Sequence, residues 1–207
     1  MANIALVGMT GNIGSRILNE ALARGHRVTG TTRSAVNLPA RDGLTVATVH
    51  PANADALAKV LNGHDVVVVS LKWDVNDVDA VIDAIRRSKV RRALIVVGAG
   101  SLRRADGRLH FDHMATPSPA SKPAMVALDK LRQVDDFDWT AISPPTSIKP
   151  GERTGKFRLG PIRWWSTRRI MARYRGRILP SPFWMKSKFP GMSGGASPSA
   201  TERRGPA

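Results

Sequence analysis

Gly8, Gly11 and Gly14, three residues apart in Gly-Met-Thr-Gly-Asn-Ile-Gly, are the residues of this chain best suited to hold a phosphate. The first would let the backbone leave a strand in a conformation that a Cβ disfavours. The second would let a pyrophosphate approach the main chain closely, and the third would let a helix lie tight against a sheet. N–H groups free at the helix start, with the helix dipole, supply the positive field such an anion needs. The same glycines could make a ligand-free turn, but a strand-like run before them and a helix-like run after them favour a nucleotide site.

A second position bears on which nucleotide. An NAD site places an acid near the end of the second strand, about 20 residues beyond the glycines, on the ribose 2′-hydroxyl. Here Arg27-Val28-Thr29-Gly30-Thr31-Thr32 is followed by Arg33. A guanidinium there can form paired hydrogen bonds to a 2′-phosphate and stack on adenine, so NADP(H) is favoured over NAD(H). The plainer reading of Arg33 is a solvated surface cation.

Other polar groups are weaker candidates. His110 and His113 flank Asp112 at a spacing that could hold a metal, but a loop without further ligands predicts solvated histidines and no metal. His26 and His64 are expected to interact with helix ends. Arg86, Arg87, Lys89, Arg91 and Arg92 are expected to be cations gathered around a helix C-terminus rather than a nucleic-acid patch. Ser101 follows a Gly-Ala-Gly turn, yet spacing alone assigns it no Ser/His/Asp relay.

These residues need elements to position them. Asn3–Val7 is a short, almost wholly apolar run, the pattern of a strand buried on both faces of a parallel sheet. Ile13, Ile17, Leu18, Ala21 and Leu22 then recur at helical spacing up to Gly25. Further strands are predicted at 27–32, 44–49, 65–70, 93–97 and 138–143, and helices at 55–61, 75–88 and 124–134. Residues 102–123 read as an irregular segment, of the length that is usually functional or mobile. The alternation implies right-handed βαβ units: an α/β, Rossmann-like, doubly wound parallel sheet in three layers.

Composition narrows the class. The 207 residues suit one principal domain, and no apolar run is long enough for a membrane span. With no cysteine there is no disulfide framework or thiol nucleophile, and with no signal-like start the expected location is cytoplasmic. Of the net charge of +16, residues 161–207 contribute ten Lys or Arg against Glu202 alone, or +9. The remaining +7 is an ordinary basic surface, so the charge makes nucleic acid an unlikely ligand of the core.

The glycine motif resembles the cofactor loop of atypical short-chain dehydrogenase/reductases, specifically the NAD(P)H-binding, NmrA-like and biliverdin-reductase-like group. Gly63-His64-Asp65, Val97-Gly98-Ala99-Gly100-Ser101-Leu102, Asp138-Trp139-Thr140 and Pro150-Gly151-Glu152-Arg153-Thr154-Gly155-Lys156 resemble it too, in order, across residues 1–160. The resemblance implies Gly8, Thr10, Gly11, Asn12, Ile13 and Gly14 around a pyrophosphate and Arg33 near the adenosine ribose. It implies Ser70 and Leu71 along the cofactor, with Gly98 to Ser101 and Ser143-Pro144 bordering the nicotinamide and substrate.

The chain departs from that pattern in three places. His50-Pro51-Ala52-Asn53 lacks the Asp that many relatives place near adenine. No Tyr-x-x-x-Lys pair exists: the one tyrosine is Tyr174, and Ser121-Lys122 stands before the fourth helix where a Tyr-Lys pair is often found. Serine is a poor acid at neutral pH, so Ser121, Lys122 and Ser101 are weak catalytic candidates. After residue 160 the chain becomes a basic, Pro-, Ser- and Gly-rich tail, read either as an out-of-frame terminus or as an arm for nucleic acid, and as disordered in part under both. The expectation is an NADPH-dependent reductase that passes hydride to a planar acceptor such as a flavin, quinone or tetrapyrrole. The rival is a non-catalytic NADP(H) sensor.

Overall fold

The structure, a computed structural model, describes residues 1–35, 38–145, 148, 151, 158–160 and 170–175. Its strands are β1 (Asn3–Val7), β2 (Arg27–Thr32), β3 (Leu44–Thr48), β4 (Val66–Val69), β5 (Arg92–Val96), β6 (Asp138–Ser143), β7 (Arg158–Gly160) and β8 (Ile170–Arg175). Its α-helices are α1 (Gly14–Ala23), α2 (Ala54–Leu61), α3 (Val78–Ser88) and α4 (Ser121–Leu131). The sheet order is β3-β2-β1-β4-β5-β6-β8-β7. Strands β1 to β6 run parallel, and β8 lies antiparallel to β6 with β7 parallel beside it.

Period-two alternation sorts the strand residues between two cores. Ala5, Val7, Val67, Val69, Ala93, Ile95 and Ala141 face α2, α3 and α4, where Leu57, Ile85, Leu128 and Leu131 cover them. Ile4, Leu6, Val28, Val66 and Val68 face Leu18 and Ala21 of α1. Neighbours β1 and β4 are buried on both sides, which is why each reads as a continuous apolar run. Because β1 connects toward β2 on one side and neighbours β4 on the other, a crevice opens at their carboxyl ends, the place where such sheets take ligands.

Local signals fix the helix limits. The Asn53 side chain accepts from the Ala56 N–H at 3.0 Å and caps α2, and Asp77 caps α3 through the Asp79 N–H. Thus α3 starts at Val78, three residues after the predicted start, because Asp77 satisfies its first turn. In contrast α4 begins at Ser121, earlier than predicted, so Ser121 and Lys122 are its first residues rather than a segment before it. Proline at position 123 costs nothing in a first turn that has no intrahelical acceptor for its missing N–H.

Several polar expectations are corrected. Arg92 is 6% exposed at the start of β5 and donates to Thr140 Oγ1 at 2.6 Å and to the Ala93 carbonyl at 3.1 Å. It is a core arginine, not a member of a surface cluster. Arg86 and Arg87 do lie at the end of α3, but each is matched by acids: Asp136, and Asp55 with Asp83. His110 is buried, not solvated; its Nδ1 accepts from Arg104 Nε at 3.1 Å, and burial, then the neighbouring Arg104 charge, lowers its pKa. His113 pairs with Asp106. Among the described residues no His, Asp and Glu group is suited to a metal. His64 meets the end of α2 as expected, and also Thr29 Oγ1 at 2.8 Å.

The sequence reading assigned no element after Ser143, where β7 and β8 lie. Ile170, Ala172 and Tyr174 alternate with Met171, Arg173 and Arg175, a weak strand pattern in a stretch dominated by charge. Most of the Pro150–Lys156 motif and of the basic tail lies outside the described residues.

Candidate functional site

The turn from β1 into α1 is held by its own backbone. Gly8 adopts φ 86°, and a Cβ there would lie 2.4 Å from the Ser70 carbonyl oxygen at the exit of β4. A Cβ on Gly14 would lie 2.0 Å from the Gly8 carbonyl oxygen. Both positions therefore require glycine for the fold itself. The Gly11 N–H donates to that same Gly8 carbonyl at 3.2 Å, and Ser15 N–H donates to Gly11 at 2.9 Å, so the loop winds directly into the helix. From β2, Thr31 Oγ1 accepts from the Gly8 N–H at 3.4 Å and the Thr31 carbonyl accepts from the Met9 N–H at 3.3 Å.

Gly11 is different. A Cβ there would meet nothing closer than the Gly8 carbonyl oxygen at 3.4 Å, an ordinary contact, and its φ lies outside the left-handed region. The protein's own packing does not require this glycine. It is exposed, as are Thr10 and Asn12, while Ile13 is half-buried. The first turn of α1 carries no acidic side chain to oppose an anion, and Ile13 leaves its cap without a side-chain hydrogen bond.

The other expected residues line the same edge of the sheet. Ser70, whose N–H donates to the Val7 carbonyl at 2.9 Å, and Leu71 are half-buried beside Gly8. Gly98 follows β5 and opens a short 3-10 turn, Ala99–Ser101. Ser101 is buried and its hydroxyl donates back to the Gly98 carbonyl at 3.2 Å, so it holds the turn. Ser143 is buried at the end of β6, where its Oγ has no hydrogen-bond partner among the described residues, and the next residue, Pro144, is half-buried. Arg33 is exposed just past β2, with no ion pair among the described residues.

The weak catalytic candidates lie on two neighbouring elements, Ser101 on the short turn and Ser121 and Lys122 at the start of α4, and a Cβ on Gly100 would lie 3.3 Å from the sulfur of Met125 on that helix. Ser121 Oγ lies 3.2 Å from Ser118 Oγ, while the exposed Lys122 places its ammonium 5.9 Å from the Phe111 ring centre. Helix α4 reaches the site through Ala124, which a Cβ on Gly98 would approach to 3.2 Å. Two features escaped the sequence reading. Trp73 is buried and its Nε1 donates to the Val96 carbonyl at 2.8 Å, bracing the segment after β4 against the end of β5. It also lines a cleft of about 380 Å³ with Val78, Lys122, Pro123 and Val126. The second is Arg16, an exposed side chain on α1 whose Nη1 donates to the carbonyl and the side-chain oxygen of Asn12. Its helical position is legible in the sequence; its bend back toward the loop is not, although side chains on helices do lean toward the N-terminus.

Residues 8–162 match the profile of the NAD(P)H-binding family. The Bacillus subtilis (strain 168) protein YwnB is 31% identical over 173 residues, covering 76% of this chain and 78% of its own. Among solved structures, a candidate exported protein from Burkholderia pseudomallei is 33% identical with a TM-score of 0.71, over 83% of this chain and 87% of that one. A candidate NADH-flavin reductase from Streptococcus pneumoniae TIGR4 is 26% identical with a TM-score of 0.63, over 75% and 78%. No described helix is long and apolar enough to cross a membrane.

Proposed function

Because this chain belongs to the NAD(P)H-binding family, we propose that it is an NADPH-dependent oxidoreductase that reduces a planar acceptor of the flavin, quinone or tetrapyrrole type. The observation that carries the reading is Gly11. The fold accounts for glycine at 8 and 14 but not at 11, where an added Cβ would meet only the Gly8 and Ser70 carbonyl oxygens, at 3.4 and 3.8 Å. A pyrophosphate seated on the N–H groups at the head of α1 is the occupant for which a bare backbone at 11 matters.

The residues divide the work along the carboxyl edge of the sheet. Thr10, Gly11, Asn12 and Ile13 receive the pyrophosphate on α1. Arg33 meets the adenosine end, and Ser70 and Leu71 flank the cofactor's middle. Gly98, backed by Ala124, and Pro144 border the nicotinamide. NADPH, when bound, supplies the hydride. The chain then has to hold the acceptor flat against the reduced ring and keep water from between them. A planar acceptor suits a chain that has no Tyr-x-x-x-Lys pair, since its second hydrogen can come from solvent as a proton. The cytoplasm, where NADPH is kept reduced, is the location this reading requires.

The test is a rate. Purified protein with NADPH and, separately, FMN, a short-chain quinone and biliverdin should oxidise coenzyme faster than the same mixture without protein. A folded protein that binds NADPH yet oxidises it at the background rate with every acceptor would favour the sensor reading and refute this one.

A further inference from the structure

We propose that Arg16 is a second determinant of coenzyme choice, acting with Arg33 as a pair of guanidinium groups that close on the phosphate of an adenosine 2′-phosphate. The inference rests on the NADP(H) reading above and adds to it a residue on a different element.

Three observations converge. First, Asn12 in the glycine loop and Arg16 and Asn19 on α1 are spaced four and three residues apart, so the two helical residues form a stripe on the face of α1 that follows Asn12. The face this stripe looks toward is fixed at its far end, where Asn19 Oδ1 accepts from Arg41 Nη1 at 2.7 Å. Arg41 belongs to the segment between β2 and β3, and Arg33 begins that same segment. The near end of the segment is also placed, because Thr31 touches Gly8 and Met9 of the glycine loop. Arg33 thus lies two residues beyond Thr31, which touches the loop, and Arg41 touches Asn19 of α1, while Arg16 stands on the helix between the loop and Asn19.

Second, Arg16 is held at the loop rather than left to swing. Its Nη1 is engaged by both oxygens of Asn12. Its Nε and Nη2 donors have no partner among the described residues. A guanidinium anchored through one nitrogen, with the other donors open in a planar fork, is arranged for a bidentate contact with phosphate.

Third, no acid among the described residues is paired with it. Arg16 makes no ion pair among the described residues, whereas Arg24 on the same helix is matched to Glu20. The first turn of α1 has no acid. A stabilising surface pair would be the ordinary use of an exposed helical arginine. Arg16 forgoes it.

Pyrophosphate is the other phosphate within reach of α1, and the experiment separates the two. Affinities of the wild type, Arg16→Ala, Arg16→Gln and Arg33→Ala are measured by calorimetry for NADPH, NADH, 2′,5′-ADP and 5′-AMP. Each arginine variant is expected to weaken NADPH and 2′,5′-ADP by about tenfold or more, the scale of one lost charge-assisted pair. NADH and 5′-AMP should change by less than about twofold, which is below half a kcal/mol. Arg16→Gln keeps a donor for Asn12 but removes the charge, so it should behave as Arg16→Ala does. Because the side chain is exposed, thermal unfolding should be unchanged in all variants. Equal weakening of NADPH and NADH by Arg16→Ala would assign Arg16 to the pyrophosphate and overturn the inference. Unchanged affinities in the Arg16 variants, with Arg33→Ala alone discriminating, would overturn it and leave the NADP(H) reading standing. A wild type that binds neither coenzyme nor 2′,5′-ADP would overturn both.

Discussion

Substituting Gly11 by alanine should separate binding from folding in a way that neither neighbouring glycine can. At Gly11 the new Cβ meets its nearest protein atom at 3.4 Å, an ordinary van der Waals distance, and the backbone is not left-handed. Alanine also lowers the entropy of the unfolded chain, which stabilises a compatible site by about 0.4–1 kcal/mol. Stability should therefore hold or rise slightly. On the proposed reading, the same methyl group would take up room beside the loop that a pyrophosphate needs and push it outward. Losing one such charge-assisted contact costs about 1.5–3 kcal/mol, or about tenfold or more in affinity for NADPH and NADH alike. Gly14→Ala is the contrast: its Cβ would overlap the Gly8 carbonyl at 2.0 Å, so the helix must move and the protein should melt lower by several degrees. The assays are thermal unfolding and coenzyme titration on the same samples. A Gly11→Ala protein that binds both coenzymes like the wild type would refute the assignment of this loop to a phosphate. One that unfolds would refute the claim that the fold does not need that glycine.

Other perturbations test the rest of the molecule. Arg33→Ala should weaken NADPH more than NADH, by about tenfold in the ratio of dissociation constants, in parallel fluorescence titrations. Thr140→Val removes one acceptor of the buried Arg92 guanidinium and should cost about 1–3 kcal/mol in urea unfolding, with the coenzyme affinities untouched. His26, buried with its Nδ1 accepting from the Ala2 N–H, has its pKa lowered from 6.5, by burial first and then by the positive N-terminus and Arg24. The folded state therefore resists protonation that the unfolded state accepts. The stability that depends on neutral His26 is present above about pH 6.5 and is lost as pH falls below it. His26→Gln should flatten the pH dependence of the melting temperature in that acid range, leaving the slope that His110, shifted in the same direction, contributes.

How much of this was legible beforehand depended on the range of the interactions. The strands and helices of residues 3–143 announce themselves through local periodicity, and Gly8 and Gly14 through a spacing that has a steric reason. What stayed hidden was set by contacts distant in sequence. Arg92 reads as one more surface cation because its partner, Thr140, lies 48 residues away. His110 reads as solvated because the short turns that bury it have no periodicity of their own. Trp73 carries no periodic signal of its own, and only the fold brings it to the Val96 carbonyl. Arg16 was passed over for another reason. The side chain leans back along its helix, and sequence spacing records the position of a Cα rather than the direction of what it carries.

The interlock between the Gly8 carbonyl and Gly14 has a consequence for how this scaffold can change over time. On the proposed reading, the part of the turn that would receive what both coenzymes share is built from main chain and is wedged in place by the sheet, so mutation at Gly8 or Gly14 threatens the whole domain. The groups that would tell one coenzyme from the other, Arg16 and Arg33, are solvent-facing and carry almost none of the domain's stability. If the two arginines act as proposed, a lineage can swap its electron source by single surface substitutions, without passing through a poorly folded intermediate, while the glycine turn is inherited unchanged.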